Sequence, residues 1–577
     1  MQALSTITHH SVSEVQQSLA QYTPTFLRLI DEFPENMKLL ELTVGVLSHA
    51  INAVLSQDDV DSQTLRRLNM PSVFRHILAA LRNPNATSYL LSHAFNMMAV
   101  SSKHCHKDIK AVPALVNFIV AGLRCDELAS RCRAWAALFA ILDPEAERGY
   151  PQMDSQKLIA SLRRGIPEYL TNVLVDWGNS TECDVFVIPR TSQDYQQAMM
   201  RCLQDRNMLA LGRTLAGLIT RAEYSIADGA FQAQNERTGR LEIIDTGLPF
   251  RSWLDALPIC AAGLRQTGNA SDADMADTLE MKFFLMRKRV SDAVALAQRA
   301  VERNAQVAYF YYVMSLTTDM PAGLRACKKG LKCRQITPFV RTALLVRAVD
   351  HAAQLGMSKL ADVTIVKASV REEAVAFLVS AQEDAKTFIS VAPPDSRHMP
   401  KMLDWSIMLT LALRGKELST DLSEFEDHMK KLETTKEFSK LFGVHQQRTT
   451  LRLTRELVTS KYQKAVTEWG SVIARVDGPN FHETLTESEA RAEDNLAAWL
   501  EGLRVEGDEE EEDEKWCVHP TTNMNSVALY RCSYCGNPSA VLRKCSGCNK
   551  TRYCDSACQK MHWKDHKTAC KEVQSGF

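Results

Sequence analysis

Residues 532–570 read CSYCGNPSAVLRKCSGCNKTRYCDSACQKMHWKDHKTAC, and the reading of the chain starts from them. Seven of the sixteen cysteines fall in this stretch, together with a histidine at ligand spacing. The order is Cys532-x2-Cys535, nine residues, Cys545-x2-Cys548, five residues, Cys554-x3-Cys558, seven residues, His566-x3-Cys570. Zinc held by thiolate and imidazole takes four ligands in a tetrahedron. Eight donors therefore make two closed sites and imply two Zn2+ ions.

The spacing has a mechanical basis. A Cys-x2-Cys pair fits a tight knuckle whose side chains turn back on one metal. Gly536 follows the first knuckle and Gly547 lies within the second, as backbone turns of that kind favour. Cys554 with Cys558, and His566 with Cys570, are i, i+4 pairs that share one face of a helix. His562 is an alternative donor to His566, but only His566 lies four residues before Cys570. A segment this small has few apolar residues for a core, so bound metal must supply much of its folding energy. A disulfide framework is the competing account. The chain opens without a signal-peptide pattern, and four paired spacings in series point to zinc.

The stretch resembles a MYND-type zinc finger, matching that family's ligand pattern at every position. The finger is expected over 528–571. The resemblance implies that the ligands interleave: Cys532, Cys535, Cys554 and Cys558 on one zinc, and Cys545, Cys548, His566 and Cys570 on the other. It also implies a partner-binding role for Gln559 and Trp563, whose family equivalents help form a shallow groove for short proline-containing peptides. Packing of Trp563 into the small core is the alternative, since aromatic rings anchor cores and interfaces alike.

The rest of the chain has ordinary globular composition, 45% hydrophobic and 24% charged,. A net charge of −1 argues against a dedicated nucleic-acid binder,. No apolar run approaches the length that spans a bilayer, so no membrane association is expected. The nine cysteines outside the finger are scattered, as reduced intracellular thiols are,. Cytoplasm, nucleus or both are the expected compartments.

Residues 1–160 read as successive helices with apolar steps of three and four, as in Leu39, Leu40, Val44, Leu47 and Ile51,. Residues 71–82 (PSVFRHILAALR) align with 113–124 (PALVNFIVAGLR) at an offset of 42. Second apolar helices are expected at 89–100 and 131–142, and a weaker copy begins at Pro24. This period resembles armadillo/HEAT repeats, which stack into a superhelix with an extended binding surface. The cluster Lys103-His104-Cys105-His106 looks like a metal site, but adjacent side chains diverge and no second pair is near. A helix end or loop is expected there.

Residues 161–275 form a mixed, mostly helical connecting region. Within it, Asp184–Pro189 and Leu241–Asp245 read as short strands or buried extended pieces, and 266–276 as a loop. Residues 276–505 resume as helices, with bulky and small segments alternating in a way similar to tetratricopeptide repeats. The run Tyr309–Tyr312 reads as core rather than groove lining. Thr486 to Glu489 reads as a capping box. The fold class expected is mostly α, an α-solenoid-like helical repeat body carrying a small C-terminal double-zinc finger.

An acidic linker, 506–515, separates body from finger. Glu506 to Glu514 holds eight acids in nine residues, a density that repels itself,. The finger carries a formal +5 over 532–577, which falls to +2 once seven thiolates and two Zn2+ ions are counted,. DNA binding is therefore not expected, and the acidic run can fold back onto Arg543, Lys544 and Arg552.

The phosphate-cradling, dinucleotide, nucleophile-elbow and His-Glu-x2-His patterns are absent. Some proteins with this finger are SET-type lysine methyltransferases, but their Asn-His-Ser-Cys-like segment and strand-rich fold are not seen. A non-enzymatic zinc-binding scaffold is expected, its finger docking short peptide motifs of a protein partner. The alternatives are an adaptor of a ubiquitin ligase, by similarity of layout to fungal adaptors, and a transcriptional co-regulator.

Overall fold

Proline starts the first helix of each N-terminal pair. The computed structural model describes residues 1–57, 59–149, 160–161, 163–235, 237–362, 367–476 and 530–575. Pro24, Pro71 and Pro113 each lie in the first two positions of a helix: Thr23–Glu32, Met70–Arg82 and Pro113–Ala121. A missing N–H costs little there, because first-turn amides have no acceptor within the helix. Each is followed by a partner helix, Met37–Leu55, Ser88–Ser101 and Leu128–Leu142. The three partners pack in series, Met37–Leu55 on Ser88–Ser101 and that helix on Leu128–Leu142. The 42-residue offset is thus a spacing between helix pairs.

Leu128–Leu142 hands the stack to the second helical block. It packs on Pro338–Ala361 and on Met399–Arg414, and Trp135 meets Trp405 edge-on at 5.9 Å. Between 270 and 361 the helices Ala270–Met286, Val290–Arg303, Ala308–Met314, Met320–Gly330 and Pro338–Ala361 each pack on the next. Pro338–Ala361 lies against Ala368–Val391, the helix on which the finger rests. The last body helix among the described residues, Thr450–Val476, returns to Pro113–Ala121. One buried cluster runs from Ala20 to Val476, so the core does not part at residue 160 or 275, where the helix pattern changes. Tyr309, Phe310 and Tyr311 are buried in it. The Tyr309 and Tyr312 hydroxyls both donate to Glu223, at 2.7 and 3.1 Å.

Several local expectations change. Asp184–Pro189 is not extended; it opens the helix Asp184–Asp205, with Pro189 inside. The buried positions Val185, Ile188, Thr191, Tyr195, Met199 and Cys202 follow helical spacing,. The cap comes from far away: the Asp395 carboxylate accepts the Asp184 and Val185 amides at 3.1 and 2.7 Å. Leu241–Ile243 is a strand, paired with Gln232–Gln234. The loop expected at 266–276 shrinks to a short break before Ala270, where Asn269 accepts the Ser271 amide. Asp272 within that span pairs with Arg213, and Asp277 just beyond it with Arg265. Met37–Leu55 is, among the described residues, the one helix long and apolar enough to cross a bilayer, and 67% of its apolar window is buried inside the stack. His104 lies in a turn and Cys105 precedes the short helix His106–Lys110; neither belongs to a metal-ligand cluster among the described residues. The capping box at 486–489 and the acidic run 506–515 lie outside the described residues.

Candidate metal centre

Two knuckles, a two-residue ribbon and one helix build the tail. Cys532 and Cys535 flank a turn in which the Gly536 amide donates to the Cys532 carbonyl at 2.8 Å. Gly536 has φ +76°, a conformation that disfavours side chains,. Cys545 and Cys548 flank a second turn, closed by Asn549 at φ +53°. Arg543–Lys544 and Arg552–Tyr553 pair antiparallel across it. The helix Ser556–Ser575 then supplies Cys558, His566 and Cys570, while Cys554 lies in the bend before it, so of the two i, i+4 pairs only His566 with Cys570 is helical. Asp555 caps its start, accepting the Cys558 amide at 2.9 Å,.

These elements gather two groups of four: Cys532, Cys535, Cys554 and Cys558, and Cys545, Cys548, His566 and Cys570. Within each group the donor atoms lie within 4.8 Å of one another. A tetrahedral zinc with bonds of about 2.3 Å to sulfur sets neighbouring sulfurs about 3.8 Å apart. Cys535 and Cys554 are 3.7 Å apart, Cys535 and Cys558 3.9 Å, and Cys545 and Cys570 3.9 Å. With a Zn–N bond of about 2.05 Å, sulfur and nitrogen should lie about 3.6 Å apart. The Cys548 Sγ to His566 Nε2 distance is 3.5 Å. The donors fit two Zn2+ ions, and the interleaved pairing is the one formed.

The crowded thiols suit a bound cation. Contact with Cys535 and its neighbours pulls the Cys532 thiol far below its usual pKa, while the same contacts push Cys535 and Cys558 far above theirs. Four crowded thiols cannot all ionise without a cation between them. The buried cluster of the tail consists of the ligand cysteines and Tyr553. Remove the metals and little apolar burial remains to hold it.

Around the ligands sit further groups, of which Thr551 alone had no signal in the sequence. The Thr551 hydroxyl lies 3.0 Å from Cys548 Sγ. His562 belongs to neither tetrad; its Nδ1 is 2.9 Å from the Tyr553 hydroxyl, and its ring stacks on His566 at 5.8 Å. Gln559 donates to Cys545 Sγ at 3.6 Å. Trp563, one turn on, is 42% exposed and meets His566 edge-on at 6.2 Å. The helix thus places Gln559 and Trp563 side by side, the first partly engaged by a ligand sulfur and the second open.

Residues 532–570 match the MYND finger family model. They are a MYND finger. A 59-residue stretch is 41% identical to the SET domain-containing protein 14 of Caenorhabditis elegans, covering 9% of this chain and 14% of that protein. The chain therefore spans about a seventh of that relative's length. A MYND finger is a zinc-binding protein-interaction module, and this chain carries one on a mostly helical body.

The MYND finger is clamped to the body rather than hung from it. Arg531 makes a two-pronged bond to Glu383 at 2.7 and 3.1 Å, and the Tyr530 hydroxyl donates to Glu372 at 2.7 Å. The Ala540 amide donates to Glu373 at 2.6 Å. Lys329 reaches Asp555 at 2.6 Å, so the carboxylate that caps the finger helix also ties it to Met320–Gly330. These partners lie 148 to 226 residues apart in sequence, so no local pattern announces them. Asp555 alone had a readable signal, an acid just before a helix start.

Proposed function

We propose that this chain is a non-enzymatic scaffold whose MYND finger docks a short peptide of a protein partner through Gln559 and Trp563. The observation that carries the reading is the exposed Trp563 ring held beside Gln559 on a helix fixed by two metal sites. A rigid aromatic ring, half open beside a polar donor, is the usual anchor of such interfaces. Each tetrad has four protein ligands, which leaves no position for an activated water,. The resemblance to a SET-domain protein is confined to the finger-sized stretch, so methyl transfer draws no support from it.

The clamp gives the scaffold a fixed geometry: a partner on the finger is presented at a set position on Ala368–Val391. Adaptor of a ubiquitin ligase is the reading favoured among scaffold roles, with transcriptional co-regulator second. Among the described residues the eight body cysteines are buried and outside any disulfide, which agrees with an intracellular location, in cytoplasm or nucleus,.

The test is affinity purification of wild type beside Trp563→Ala and Gln559→Ala, Trp563→Ala, each checked for two zinc ions per chain. Trp563→Ala is the cleaner variant, because Gln559 also contacts a ligand sulfur. Loss of one set of partners with zinc retained supports the groove. Retention of every partner by a zinc-replete variant removes it.

A further inference from the structure

The finger's ribbon carries an unsolved electrostatic problem. Lys544 and Arg552 stand directly opposite each other across the antiparallel pair. Like charges in that position repel. Arg543 precedes Lys544 on the same strand, and Lys550 follows the second knuckle; both are exposed. The finger's acid–base contacts go elsewhere, from Arg531 to Glu383 and from Asp555 to Lys329. Among the described residues none of the four ribbon cations has an ion pair.

The chain carries a matching charge. Glu506 to Glu514 presents eight carboxylates in nine residues, and Glu514 precedes Tyr530 by sixteen positions. Sixteen extended residues reach up to about 55 Å. The 20-residue finger helix is about 30 Å long, so the tether suffices to reach any side of the finger,. A tether of this length gives a local concentration of order mM, which an untethered anion must exceed.

We propose that the Lys544/Arg552 ribbon, with Arg543 and Lys550, is the docking face for the chain's own acidic run, residues 506–514. The run neutralises the cross-strand repulsion. Gln559 donates to Cys545, the residue after Lys544, so the covered ribbon borders the Gln559 and Trp563 face. The contact does not depend on what that face binds. Salt is its natural antagonist, since the screening length falls from about 8 Å at physiological strength to about 3 Å at 1 M.

The experiment uses the full zinc-loaded chain and a variant in which every acid of 506–514 is replaced by its amide. The probe is a fluorescent peptide of sequence 506–514. The amide variant binds the peptide, wild type binds it at least about tenfold more weakly, and 1 M salt abolishes binding. Adding Lys544→Gln and Arg552→Gln to the amide variant removes binding while two zinc ions per chain remain. Amide exchange over 541–553 is slower in wild type than in the amide variant. Equal peptide binding to wild type and amide variant means an open ribbon and overturns the proposal. So does binding that survives the Lys544 and Arg552 changes, or no binding with unchanged exchange. A phosphopeptide or oligonucleotide that binds wild type as tightly as the amide variant also overturns it.

Discussion

His562 and His566 lie one turn apart on the finger helix, and the spacing to Cys570 already favoured His566 as the donor. The fold bears that choice out and gives His562 another role. His566 offers Nε2 to the second tetrad, whereas His562 braces Tyr553, whose ring is 1% exposed. The eight ligand positions were legible because metal coordination demands fixed residue types at fixed spacing. Which four share an ion was implied by the family resemblance and is set by the ribbon that folds the knuckles together. The prediction follows from the two roles. His566→Ala drops bound zinc from two ions per chain to one, measured by elemental analysis of the purified chain. His562→Ala keeps both and costs about 1 kcal/mol or less, the worth of one partly exposed hydrogen bond.

At the scale of elements, the segment 184–189 shows how a sequence misleads. Val185, Phe186, Val187 and Ile188 have strand propensity, and Pro189 argues against a helix interior. The helix forms because Asp395, some two hundred residues on, caps its first amides. Tertiary context overrides propensity, and no local window contains that carboxylate. The cap has a cost. Burial, and then the neighbouring Asp184 charge, raise the Asp395 pKa to about 7. Burial raises Asp184 to about 6, against the opposing Arg397 and Tyr224 contacts. Both values exceed the usual 3.8, so between about pH 4 and pH 7 the native state binds more protons than the unfolded chain,. Stability contributed by these groups is therefore complete below pH 4 and is lost as pH rises through 6 and 7. Asp404, raised to about 6 by burial beside Arg455, adds a slope of the same sign. Asp395→Asn keeps a cap acceptor without the ionisable group. Urea midpoints from pH 4.5 to 7.5 should fall less steeply for this variant than for wild type. An unchanged slope would remove Asp395 from the account.

At the scale of the whole molecule, the helical class and the paired rhythm of the N-terminal block were readable from apolar periodicity and from Pro71 and Pro113. The closure of the stack was not. Contacts between Thr450–Val476 and Pro113–Ala121 join residues some 350 positions apart, and neither helix alone names its partner. The joint centres on Trp469, which is fully buried. Its indole N–H donates to the Ala114 carbonyl at 3.0 Å, Phe118 meets its ring edge-on at 5.2 Å, and Arg82 lies 4.5 Å over its face. Glu468 beside it accepts from Asn117 and Arg82. Trp469→Ala removes a large side chain from a packed site and leaves the Ala114 carbonyl without its donor, a loss of about 3–5 kcal/mol. Because one buried cluster links this joint to both helical blocks, the loss should appear in the unfolding of the body as a whole. Urea unfolding followed by far-ultraviolet circular dichroism and by tryptophan fluorescence should shift together to lower midpoint in Trp469→Ala, with two zinc ions still bound. If the two probes separate, so that only the N-terminal block loosens, the blocks are energetically independent and the continuous core does not act as one unit.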